Sequence, residues 1–406
     1  MLECQVVTPT SASNSRTALL ALIADGLVAR FGFGLITFAL PFYGLELGMS
    51  YAEIGVLAAL RPLTAVGLKP LMGRLTDVIG QRRMYIGAIV GRCIVAALFV
   101  VASQVWILFV IRFLHGATSA ARDPAAALLI STYGGKKKLA TAFAWYGSAR
   151  EVGAALGIVC AGVMLTASDD FYPLVFLAAA VISLVGLILS MLYIPRTSHD
   201  DDTGDHPSPL DSRADGTPNS EWVVYAILGI AMATTGAMLV QLFPVLAVDY
   251  AGLTKAQTSY IFALSLLVAV FAAPWFGHLA DRFSRHLVLS LRAALNIIST
   301  AIYWLAPSFG GFVAGRVCDD LGKAAFRPAW GAMTAEIAES NKSTRGRTLG
   351  YMDTAQSAGE ALGPVLAGWL WDEFGIATLF AARIGLSVAA EAYAVWVAQR
   401  KVRRNS

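Results

Sequence analysis

Apolar residues run along this chain in stretches of about 20, separated by short polar connections. The stretches fall near residues 17–41, 52–72, 84–103, 105–131, 139–166, 172–194, 222–248, 257–277, 286–306, 309–335, 347–371 and 375–398. Each is long enough to cross a hydrocarbon core of roughly 30 Å as a helix rising about 1.5 Å per residue. A backbone in lipid must satisfy its own hydrogen bonds, so the twelve stretches are predicted to be helices. The fold class expected is an all-α, multi-pass integral membrane protein. The first stretch does not read as a secretory leader. Residues 1–15 hold no Lys or Arg, the apolar run is too long, and no small-residue cleavage site closes it.

Composition agrees with that pattern. Of 406 residues, 57% are hydrophobic and 14% charged, well under the roughly one quarter of a soluble domain. The net charge of +4 matters through its distribution. Arg74, Arg82 and Arg83, Lys136 to Lys138, Arg196 and Arg213, Arg282 and Arg285, Lys342, Arg345 and Arg347 fall in one set of connections. The tail adds Arg400, Lys401, Arg403 and Arg404, whereas the alternate connections hold only Lys255. The positive-inside rule places the basic set in the cytoplasm, with an even number of spans and both termini inside. No basic patch on a soluble surface supports nucleic-acid binding. Cys93, Cys160 and Cys318 lie in spans and Cys4 in the tail, without a CxxC pair, so they read as packing residues.

Residues 196–221, RTSHDDDTGDHPSPLDSRADGTPNSE, break the apolar rhythm. They are predicted to be a flexible cytoplasmic linker between bundles at 1–195 and 222–406. His199, Asp201, Asp205 and His206 are potential metal donors, but no scaffold fixes them and no metal site is expected. The flanking halves resemble each other. A shift of 204 lays Gly73, Leu75 and Asp77 on Gly277, Leu279 and Asp281, Arg112 on Arg316, Pro124 on Pro328, and LGMSYAE (47–53) on AGLTKAQ (251–257). A shift of 206 lays Gly153 and Gly157 on Gly359 and Gly363. Two six-helix halves related by an axis along the membrane normal are expected.

Residues 73–83, GRLTDVIGQRR, carry four charges in eleven positions between two apolar runs. They resemble the major facilitator signature Gly-x-Leu-x-Asp-x-x-Gly-[Arg/Lys]-[Arg/Lys], with Gln81 departing from it. Arg112 to Ala121 resemble the second motif of that family, with His115 where Gln is usual. Gly147, Gly153 and Gly157 resemble the antiporters' glycine-rich helix 5 without its Pro, which stands instead in Gly363-Pro364. Gly32-Phe33-Gly34 followed by Pro41-Phe42-Tyr43 resembles the helix 1 ending of twelve-span drug:proton antiporters. The resemblance covers the whole chain and implies twelve spans in two pseudo-symmetric bundles, with helices 1, 4, 7 and 10 lining a cavity. It also implies that Gly73, Asp77, Gly80, Arg82 and Arg83, with Gly277 and Asp281 as a weaker copy, form a gate that latches the halves in the outward-facing state. On physical grounds Gly73 permits close packing, and Asp77 suits the amides that open the next helix.

Charges inside the spans are costly and therefore informative. Asp25, His115, Glu151, Asp353 and Glu360 are candidates for binding a coupled proton. The alternative is that these acids are fixed partners of Arg30, Arg150 and the helix 10 bases. Arg112, His115, Ser119 and Arg122 share one helical face, as do Arg316, Asp320, Lys323 and Arg327. With Arg30, Asp123, Arg150 and Asp319 they are candidates to line the substrate cavity. Arg92, Arg292 and Arg383 read as snorkelling or structural. No catalytic arrangement or phosphate-cradling loop is present, so an enzyme is not expected.

The function expected is alternating-access export of a small organic compound, anionic, zwitterionic or amphiphilic, driven by the proton gradient. A monomer in a bacterial inner membrane is expected, with substrate, protons and lipid as partners and no cofactor. An organic-anion or lysolipid symporter or exchanger is the alternative, and a non-transporting membrane sensor a weaker one.

Overall fold

The computed structural model describes residues 12–134, 139–195, 221–265, 285–339 and 345–405, although some side chains within these ranges are undescribed. The described residues are helical almost throughout. Helices α1 (Ala12–Glu46), α2 (Tyr51–Ile79), α3 (Gln81–Val101), α4 (Val105–Tyr133), α5 (Leu139–Ala167) and α6 (Tyr172–Tyr193) form the first half. The second half holds α7 (Glu221–Ala237), α8 (255–265), α9 (Arg285–Leu305) and α10 (Phe309–Glu339). Its last helical run, Arg345–Asn405, breaks at Gly375, where φ is 80° and ψ 171°, into α11 (345–374) and α12 (376–405). A positive φ of that kind suits glycine, which lacks a Cβ.

Two expected boundaries move. The seventh span is not one helix. It stops at Ala237, turns through 238–242, and resumes as Phe243–Val245 and a π turn, Leu246–Tyr250. Pro244, which lacks an N–H, stands at the start of the new segment, where a proline is tolerated. The charged stretch from residue 73 is no loop either. Gly73 to Asp77 are the last turns of α2, and Gly80, with φ 92°, makes the corner into α3.

Glycine contacts place the repeat in space. Gly153 and Gly157 of α5 press on the backbone of α1 at Leu27 and Phe31, leaving no room for a Cβ. Gly359 and Gly363 of α11 do the same against Ile230 and Thr234 of α7. Both pairs serve one purpose: close approach of the fifth helix of a half to its first.

The apolar core is continuous at one end and forked at the other. At the end remote from residues 12 and 405, hereafter the far end, one buried cluster joins the halves through Phe38, Phe42 and Met49 with Leu242, Phe243 and Phe262. Toward the near end the core divides into one cluster within the first half, around Leu22, Tyr85 and Leu129, and one within the second, around Met232, Trp330 and Met352. Six described stretches are apolar and long enough to cross a membrane; α4 and α10 are equally long but carry buried charges. Leu20, Leu63, Trp106, Leu192 and Leu305 project outward, an apolar girdle that lipid would cover.

Candidate functional site

The far end is closed by two matching sets of contacts between the halves. At the start of α2, Ser50 and Glu53 form a capping box, with Ser50 Oγ accepting from the Glu53 amide at 3.2 Å and Glu53 Oε2 from the Ser50 amide at 2.9 Å. The two remaining free amides, of Tyr51 and Ala52, donate across the interface to Asp372 Oδ1 and Oδ2 at 3.1 and 2.8 Å. At the start of α8, Thr254 and Gln257 form the equivalent box, at 3.1 and 2.9 Å. The Ala256 amide there donates across the interface to Thr166 Oγ1 at 3.1 Å. The SYAE and TKAQ repeats are therefore two helix starts, each capped from the opposite half. Tyr51 also stacks on Trp371 with ring centroids 4.1 Å apart, and Lys255 Nζ lies 2.6 Å from Asp170. Gly55 against Pro364 and Gly162 against Ser259 bring the backbones together just inside.

Beneath the seam, most intramembrane charges are committed to one another. Asp25 of α1 is fully buried, accepting from Tyr85 Oη at 2.5 Å and Arg122 Nη2 at 2.7 Å, with Arg92 Nη2 at 3.3 Å. Its partners come from α3 and α4, not from Arg30 five residues along its own helix as the paired reading expected. Asp25 thus ties three helices, and Gly186 lets α6 close over it.

The second half has a larger network on different positions. Arg383, fully buried, donates to Thr235 O at 3.1 Å, Thr300 Oγ1 at 2.8 Å, Asn296 Oδ1 at 2.5 Å and Asp319 Oδ1 at 2.8 Å. Lys323 bridges Asp319 at 2.6 Å and Asp320 at 2.9 Å, and Arg316 pairs with Asp320 at 3.1 Å. Arg383, fully buried, and Arg92, partly buried, each pair with a carboxylate inside their own half, so neither snorkels. Arg316 also packs its guanidinium on Phe262, at 4.4 Å, and Phe243, at 4.9 Å, two rings of the far-end seal.

A different group lies in the first half beside the gap between the forked cores. Arg30 of α1 and Arg61 of α2 lie 5.2 and 5.1 Å from the centre of the Phe33 ring, and His115 of α4 meets that ring edge-on at 5.2 Å. Arg112 is 1% exposed and donates from Nε to Leu57 O at 3.3 Å. A small cavity bounded by Gly32, Phe33, Arg92, His115 and Ser183 adjoins this group. Asp123 and Arg150 approach at 3.9 Å with the Asp123 side chain 41% exposed. Glu151, Asp353 and Glu360 are exposed, and Lys69 reaches Asp353 at 3.3 Å across the halves. Carboxylates at this depth are too costly to face lipid, so they mark a wet cleft opening toward the near end. The sequence pattern singled out Arg30 but not Arg61 beside it, and not Asp372.

At the near end, Asp77 is exposed and does not cap α3, whose start at Gly80 receives no side-chain bond. Gly73 has open space where a Cβ would lie, so it makes no close contact among the described residues in this state. Arg82 donates to Ile194 O at 2.8 Å, holding the end of α6, and Gln81 bonds Thr132 at 3.3 Å. Gly277, Asp281 and the 196–220 stretch lie outside the described residues, as does the side chain of Arg327.

With this geometry in view, the comparisons with known proteins are decisive. The Major Facilitator Superfamily model matches residues 26–254 and 222–406. The chain belongs to the major facilitator superfamily. It is 24% identical to the multidrug resistance protein MdtG of Proteus mirabilis over 365 residues, covering 86% of this chain and 88% of that one. To the class B tetracycline resistance protein of Escherichia coli it is 23% identical over 314 residues, covering 77% and 68%. Among solved structures, the nucleoside transporter NupG superposes with a TM-score of 0.75 at 14% identity, over 94% of this chain and 98% of that one. As a major facilitator protein it is a multi-pass membrane transporter of small molecules rather than an enzyme. The two bundles and the cleft between them are the body of that transporter.

Proposed function

We propose that this transporter is a proton-coupled exporter working by alternating access in a bacterial inner membrane, with both termini in the cytoplasm. The observation that carries this reading is the pairing of a doubly capped far-end seam with a wet, charged cleft at the near end. With the termini inside, that is the state that loads a substrate from the cytoplasm. Export is supported by the relatives, whose names describe multidrug and tetracycline resistance. The proton carriers proposed are the acids that face the cleft, Glu151 and Glu360 foremost. In this state they are exposed, whereas Asp25 is fully buried with both oxygens bound by arginines. His115 remains a candidate beside them. Exchange of an organic anion is the second reading, favoured by the arginines around Phe33.

The test is purified protein in liposomes under an imposed pH gradient, challenged with drugs, organic anions and lysolipids. Substrate-evoked proton flux that collapses in the double variant Glu151→Gln with Glu360→Gln supports the proposal. Proton flux that no compound evokes would sink it.

A further inference from the structure

We infer that the cluster of Arg30 and Arg61 around Phe33 is an anion site, taking the carboxylate or phosphate of a small organic substrate. The inference rests on the transport reading above and names the substrate class of that cleft.

Charge pairing is the first argument. Arg92, Arg122, Arg316 and Arg383 each lie within salt-bridge reach of a carboxylate. Among the described residues, Arg30, Arg61 and Arg112 do not. The acids that bear electrostatically on Arg30 and Arg61 are Asp123, Glu151 and Glu360, and none is paired with either. Asp123 is drawn to Arg150 at 3.9 Å, and Glu360 accepts from Gln356 at 3.1 Å. Arg30 Nε, Arg112 Nη1 and His115 Nδ1 are buried without a partner, as are Arg92 Nε and Arg122 Nε, whose guanidiniums are otherwise paired; Arg112 and His115 are 1% and 5% exposed. Groups of this kind are expensive unless something satisfies them.

The repeat supplies the second argument. Arg316, the counterpart of Arg112, has Asp320 four residues on; Arg112 has Gly116 there. The first half thus lacks the acid that neutralises the second. The vacancy sits below the seam, where α1, α2 and α4 meet the cleft.

Chemistry then selects the ligand. Guanidinium forks match carboxylate and phosphate oxygens, so two of them around one ring suit a planar or tetrahedral oxyanion. The Phe33 ring, flanked by both guanidiniums, supplies apolar contact for the organic remainder.

The experiment is calorimetric titration of the full-length protein in non-ionic detergent, without any gradient, using phenyl phosphate, benzoate, benzamide and benzylamine. Saturable binding of the two anions is expected, at least tenfold tighter than of the neutral or cationic analogue. Arg30→Gln and Arg61→Gln should each weaken it about tenfold. Arg variants that fail to fold leave the wild-type ranking as the test. Equal or tighter binding of benzylamine, no saturable anion binding, or anion binding unchanged in both folded variants would overturn the inference. A lysophosphatidate titration separates soluble anions from lipid ones: only a site open to the bilayer should take it more tightly than phenyl phosphate. Anion binding without proton flux in liposomes would refute the coupling reading and leave this site standing.

Discussion

Asp372 in α11 holds the first turn of α2 in the other half, one carboxylate oxygen on the Tyr51 amide and one on the Ala52 amide. Thr166 holds α8 in the mirrored position with one neutral bond. The two caps are thus symmetric in placement and unequal in strength. A charge-assisted bond to a helix start contributes more than a hydroxyl, and the dipole of α2 adds to it.

Asp372→Ala should therefore loosen the far end more than Thr166→Val. Losses of about 2 and about 1 kcal/mol correspond to roughly thirtyfold and fivefold shifts away from the sealed state. Spin labels at Gln104→Cys and Ser308→Cys, on far-end turns of the two halves, report the populations once the native cysteines are replaced. Equal effects of the two substitutions would contradict the inequality.

Arg383 is predicted to be a stability residue. Arg383→Ala strands the Asp319 carboxylate and several hydroxyls in a buried site, at a cost of about 3 kcal/mol or more. Arg383→Lys should recover only part of this, because one ammonium cannot reach partners on α7, α9 and α10 together. Thermal unfolding in detergent checks it, and an unchanged midpoint for the Ala variant would be a contrary result.

How much of this was legible depended on the range of the interaction. The SYAE and TKAQ repeats announced equivalent positions, and their capping boxes are local to four residues each. The glycines at 153, 157, 359 and 363 announced equivalent positions in the two halves, and each pair presses on the first helix of its half; the close packing expected of Gly73 is not seen in this state. Asp372 was not legible, because its partners lie 320 and 321 residues away in the chain. Asp25 suggested Arg30 by proximity in sequence, yet tertiary packing brings Arg92 and Arg122 to it instead. The break after Ala237 carried little warning beyond Pro244 in an otherwise continuous apolar run.

The acids divide by environment. Glu151→Gln and Glu360→Gln change exposed side chains and should alter stability by no more than about 0.5 kcal/mol while impairing proton-coupled transport. Asp25→Asn removes the counter-charge of buried Arg122 and partly buried Arg92 and should lower the unfolding midpoint strongly. Loss of coupling in Asp25→Asn with unchanged stability would instead make Asp25 the proton site.

Asp77 makes no cap and stands exposed in this state, so Asp77→Asn should leave its unfolding midpoint unchanged. Any role in a latch belongs to the opposite state, and slowed transport with normal binding is the expected outcome. An altered midpoint without a transport defect would mark Asp77 as a residue of the present state.

The central claim is that the two halves rock, so that the far-end seam opens as the near-end cleft closes. Two label pairs test it most directly: Gln104→Cys with Ser308→Cys at the far end, and Thr132→Cys with Gly350→Cys at the near end. Distances measured in liposomes across pH and ligand should change in opposite directions. Pairs that lengthen together, or a far-end distance that never changes under conditions supporting transport, would contradict the account.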